Sequence, residues 1–98
     1  MKGRESTMKL CIKITFSIGV QKEFLRSYVL KQANKLDVEG VAQRLEEDQI
    51  MIIACGRKEA VDDFVDTIHQ GSAKYKLDDI ELEPFMGKDY RGVFRVIE

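Results

Sequence analysis

Between Ile18 and Phe24 the hydrophobic pattern changes from the period of a strand to that of a helix, and this change constrains the fold more than any other feature. On one side Leu10, Ile12, Ile14, Phe16 and Ile18 alternate with Cys11, Lys13, Thr15 and Ser17, which predicts a half-buried strand over residues 9–18. On the other side Phe24, Leu25, Tyr28, Val29, Ala33 and Leu36 fall on one helical face, with Lys22, Arg26, Lys31, Gln32 and Lys35 largely opposite. That predicts a helix of about four turns. The stretch Gly19-Val20-Gln21-Lys22-Glu23-Phe24-Leu25-Arg26 is therefore a short connection ending one turn inside a helix. Such a place offers unpaired backbone N–H groups at the positive end of a helix dipole. Arg26 adds a guanidinium fork to the same spot, so the stretch can cradle a phosphate or carboxylate. The alternative is an ordinary helix start, with Glu23 favouring the dipole and Arg26 solvated.

The rest of the chain supplies the partners of these two elements. Val38 to Leu45 reads as a second strand carrying Gly40. The charged turn Glu46-Glu47-Asp48-Gln49 leads to a third strand, Ile50 to Cys55, whose continuous apolar run suits the centre of a sheet. The short connection makes these two strands an antiparallel hairpin ended by Gly56. Ala60, Val61, Phe64, Val65 and Ile68 form the buried stripe of a second helix, which Gly71 is expected to stop. His69 then falls in the last turn as a solvated or dipole-facing histidine. Lys74 to Glu83 predicts a fourth strand, with Ile80 and Leu82 on one face and Pro84 ending it or marking an edge. Phe85 to Asp89 is a loop, and Tyr90 to Ile97 a short fifth strand. The order β-α-β-β-α-β with a terminal strand implies an α+β, ferredoxin-like sandwich: an antiparallel sheet with both helices on one face. Ile12, Ile14, Phe16, Leu25, Val29, Ile52, Phe64 and Ile68 are the expected core.

The chain has 98 residues, enough for a single core, expected over residues 9–98 behind a flexible extension at residues 1–8. Sixteen Lys and Arg oppose seventeen Asp and Glu, so the net charge is −1 and any anion site must be local rather than a property of the whole surface. Nucleic acid and membrane are not expected partners, and no apolar run approaches the ~20 residues of a membrane helix. Cys11 and Cys55 lack metal-ligand spacing; they read as buried free thiols, which fits a reducing cytoplasm. A monomer is expected.

The ferredoxin-like plan hosts many functions. An RNA-binding version needs exposed aromatics on its central strands, and Ile50 to Cys55 has none. A metal chaperone needs paired cysteines in the first loop. A small-molecule regulatory module leaves only weak sequence marks and stays open. Beyond these, Cys11 to Glu98 resembles the acylphosphatase family. Val20-Gln21 followed by Phe24-Leu25-Arg26 looks like the family's phosphate loop, Val-Gln-Gly-Val, one variable residue, then an aromatic and Arg. Leu36-Asp37-Val38-Glu39-Gly40-Val41 is similar to the Leu-Gly-Leu-x-Gly run leading into the second strand. Ala54-Cys55-Gly56 matches the exit from the third, and Gly71 stands where Gly-Pro follows the second helix. Cys11 to Gly56 aligns without a gap.

The resemblance implies hydrolysis of the carboxyl–phosphate bond in small acyl phosphates, without metal or cofactor. It implies that loop amides at Gly19, Val20, Gln21, Lys22, Glu23 and Phe24, with Arg26, hold the phosphate. The family's water-positioning asparagine falls on Arg44, and a guanidinium only donates, so it can bind phosphate but cannot accept from water. Lys22 replaces the loop's central glycine, Glu23 an apolar residue, and Ser72 the proline after Gly71. These departures imply impaired or altered catalysis. The alternative is an inactive module of the same fold that binds a phosphate, a carboxylate or a protein partner.

Overall fold

The computed structural model describes residues 9–18, 24–46, 48–75, 77–86 and 92–97. Five strands form one sheet in the order β4-β1-β3-β2-β5. They are β1 (Lys9–Ile18), β2 (Glu39–Glu46), β3 (Gln49–Arg57), β4 (Leu77–Pro84) and β5 (Phe94–Ile97). The first four pair antiparallel, as their alternation and short hairpin require. β5 instead lies parallel to β2, with Gly40 opposite Phe94 and Ala42 opposite Val96, so the complete sheet is mixed. β3 runs through Gly56 to Arg57, two residues beyond the expected end, because β1 still pairs there through Leu10 and Lys9.

Even-numbered residues of β1, β2 and β3 stand opposite one another: Ile14, Ile52 and Ala42 share one rung, Phe16, Ile50 and Arg44 the next. This face carries the main core, in which Ile14, Phe16, Ile50 and Ile52 pack with Val29 and Ala33 of helix α1 and Phe64 and Ile68 of helix α2. Both helices therefore cover the same face, as the alternation predicts. Ile12 packs at the margin of this core and is partly buried. The side chain of Leu25 and residues 1–8 lie outside the described residues.

Helix α1 covers residues 24–35, with Phe24–Leu30 wound in wide π turns and Lys31–Lys35 in α form. Its end is a Schellman stop: Val38 N–H donates to the Ala33 carbonyl at 2.9 Å and Asp37 N–H to that of Asn34 at 3.4 Å. Asp37 takes the left-handed position with φ 61°. Helix α2 (Lys58–Tyr75) continues past Gly71, which does not terminate it. A Cβ at Gly71 would lie 2.8 Å from the Tyr28 ring, so this glycine lets α1 approach α2. Tyr28 uses the approach to donate its hydroxyl to the Thr67 carbonyl at 2.8 Å. His69 is consequently an exposed mid-helix residue rather than one of the last turn.

The opposite face of the sheet has a smaller apolar patch of Val41, Ile53 and Cys55, packed by Cys11, Met51 and Phe85. Here Cys11 and Cys55 face each other across β1 and β3, Cα–Cα 4.1 Å, and form a disulfide. The expectation of free thiols is corrected by this register. Opposed, non-hydrogen-bonded positions of an antiparallel pair bring two side chains within bonding distance. These cysteines therefore give no sign of a reducing compartment. Among the described residues no helix is long and apolar enough to cross a membrane.

Candidate active site

The topology gathers several sequence-predicted groups at one pole of the sheet. β1 ends there at Ile18, whose N–H donates to the Asp48 carbonyl of the β2–β3 turn at 2.8 Å. β2 ends at the same pole, with Arg44 opposite Ile50, itself opposite Phe16. The described part of α1 opens at Phe24, with residues 19–23 between it and the end of β1. The π-wound segment packs against both β2 and β5. π winding is rare and concentrates at functional sites, and this segment carries Phe24 and Arg26 in its first turn.

Arg44 stands on the helix-facing side of β2, in line with Ala42 and Gly40, and is half-buried. Gln43 pairs with Met51 and belongs to the opposite face. Gln43 therefore cannot replace an amide at position 44 by a small shift, because neighbouring strand residues point to opposite sides. The expected cradle residues Gly19, Val20, Gln21, Lys22 and Glu23 lie outside the described residues, as do the side chains of Phe24 and Arg26. Sequence reasoning did not find the π winding, which leaves the helical spacing of Tyr28, Val29 and Ala33 intact.

The glycine of the second strand has a local role in this architecture. Gly40 has φ 141°, and a Cβ there would run into the Ile53 carbonyl oxygen on β3. Its N–H donates to the Val93 carbonyl at 3.1 Å, which holds the parallel β5 against β2. Phe94 follows and meets Phe64 of α2 with ring centroids 5.9 Å apart, fixing β5 over the core. The strand bearing Arg44 is thus clamped on both sides. Among the described residues no group of three or more His, Cys, Asp or Glu comes together as a metal-binding cluster.

A pole with a helix start, an arginine in its first turn and a second arginine on the neighbouring strand suits an anion. Comparison with known proteins gives that chemistry a family. The acylphosphatase family model matches residues 13–96. The acylphosphatase of Coxiella burnetii is 28% identical over 86 residues, 88% of this chain and 90% of that protein. That of Legionella pneumophila is 27% identical over 84 residues, covering 86% and 92%. The solved structure of an acylphosphatase from Coxiella burnetii has a TM-score of 0.78 at 25% identity, covering 97% of this chain and 99% of that one. With the family model spanning nearly the whole sheet and both helices, the chain belongs to the acylphosphatase family.

Proposed function

We propose that the chain hydrolyses the carboxyl–phosphate bond of small acyl phosphates with a lowered turnover, because its machinery binds the anion better than it positions water. In this reading Arg26 and the backbone N–H groups of Gly19 to Phe24 hold the phosphoryl oxygens. Water adds to phosphorus and the carboxylate departs as the leaving group, its low basicity making protonation unnecessary. Such a reaction depends on positioning and on stabilising charge more than on covalent chemistry, so it needs neither metal nor cofactor.

The observation that carries the reading is the location of Arg44: helix-facing, half-buried, and at the sheet pole from which β1 leads toward Arg26. A guanidinium there adds a second cation for phosphate. It offers no acceptor for a proton of the attacking water, and a residue that must orient water has to accept as well as donate. The loss should therefore fall on kcat and not on KM. With a net charge of −1 the surface offers no broad field for nucleic acid, and the substrate is a small molecule bound by a monomer.

The test is turnover of acetyl phosphate by the wild type and by Arg44→Asn. Restoring the amide should raise kcat about tenfold, equivalent to about 1.4 kcal/mol of barrier, with KM unchanged or raised. A wild type as fast as family members that keep the asparagine, and not improved by Arg44→Asn, would overturn the reading. If both proteins are inactive yet bind phosphate, the chain is an anion-binding module and Lys22 and Glu23 are the principal lesion.

A further inference from the structure

The opposite pole of the sheet holds a cavity of about 390 Å³, within the range of small-molecule sites, about 300–1,000 Å³. The starts of β1, β2 and β5 meet there with the ends of β3 and α1, as the pairings Lys9 with Arg57 and Gly40 with Phe94 require. Its accessible apolar wall is Val93, and beneath it Ala33, Val38 and Phe94 belong to the main core. Four charged residues line the rim: Lys9, Asp37, Glu39 and Arg57. Two of these are occupied with each other. Glu39 receives Lys9 Nζ on one carboxylate oxygen at 2.6 Å and the Gly92 N–H on the other at 2.9 Å. Neither Arg57 nor Asp37 has an ion-pair partner among the described residues.

The remaining pair is one cation and one anion on adjacent backbone. The Asp37 carbonyl lies 3.6 Å from where a Cβ on Gly56 would stand, and Gly56 precedes Arg57. Asp37 also occupies the left-handed stop of α1, a position at which glycine carries no steric cost. A carboxylate held in a sparsely populated backbone region is a reason to look for a role. We infer that this cavity binds a free α-amino acid with a small aliphatic side chain. Arg57 receives the carboxylate through its fork of donors, Asp37 the ammonium, and the exposed Val93 the side chain, above the core residues Ala33, Val38 and Phe94. The occupied Lys9–Glu39 pair closes one side of the rim without adding net charge. This site lies at the far end of the sheet from Arg44 and does not depend on the hydrolase reading.

L-valine is the probe, with N-acetyl-L-valine lacking the ammonium and L-valinamide lacking the carboxylate. L-valine should raise Tm with saturation, and neither derivative should. Arg57→Gln and Asp37→Asn should each weaken binding about tenfold or more while leaving acetyl phosphate turnover unchanged. In the unvaried protein, L-valine should move the amide resonances of Asp37, Val38 and Arg57, a readout that requires no variant to fold. Absence of a saturable response to L-valine overturns the inference. So does an equal response to either derivative, or binding that survives both substitutions.

Discussion

Gly40 and Asp37 sit three residues apart and both take a positive φ that favours glycine, and both were visible in the sequence only as parts of a motif. At Gly40 the Ile53 carbonyl occupies the place of a side chain, and the backbone cannot shift without opening β2 from β3. Gly40→Ala should cost about 4 kcal/mol or more, or prevent folding, as measured by urea denaturation. At Asp37 the same demand is milder, and a side chain is present. Replacing a residue of φ 61° with glycine should stabilise the protein by about 1 kcal/mol in the same assay. If the cavity beside Asp37 binds an amino acid, that gain comes with loss of the L-valine response. The alternation of β1 and β2 was enough to assign Arg44 and Gln43 to different faces, because period two leaves no freedom. It could not assign the conformation of Asp37, since aspartate after a helix is compatible with several turns.

At the scale of elements, the alternation of β1 and the stripe of α2 determined which faces meet, and contacts between elements decided the rest. Gly71 shows the limit. A glycine after a helical stripe normally predicts a stop, but here the space it leaves is filled by Tyr28 from another helix. Tyr28→Phe should cost about 1 kcal/mol through loss of the hydrogen bond to Thr67, with the ring still packed. Gly71→Ala should cost more, because the added carbon meets the ring itself. The disulfide was hidden for a related reason. Cys11 and Cys55 share one sheet face by parity, yet only the β1–β3 register sets them opposite. They are 44 residues apart in sequence, and a closed loop of that length contributes about 4 kcal/mol by chain entropy alone, with measured values commonly 2–4. Reduction should lower the denaturation midpoint accordingly, and Cys11→Ser with Cys55→Ser should remove the sensitivity to reductant.

Across the whole molecule the sheet separates two charged poles, and their different chemistry allows each to be tested against the other. With sixteen cationic and seventeen anionic side chains, the surface has no general affinity for anions, so phosphate can stabilise the fold only through a built site. At ten times its dissociation constant phosphate should contribute about 1.4 kcal/mol, a rise in Tm of roughly 6–11 °C for a domain of this size. Arg26→Ala should abolish that rise, and Arg44→Ala should reduce it. Arg57→Gln, at the other pole, should leave it unchanged. The comparison separates local recognition from the loss of one positive charge, since all three substitutions lower the net charge equally. Equal losses in all three would mean that phosphate acts through screening, and the arginine in the first turn of α1 would have no special part. A loss confined to Arg26 and Arg44 would tie anion affinity to the pole where β1 gives way to α1. That is the place at which the sequence itself changes period.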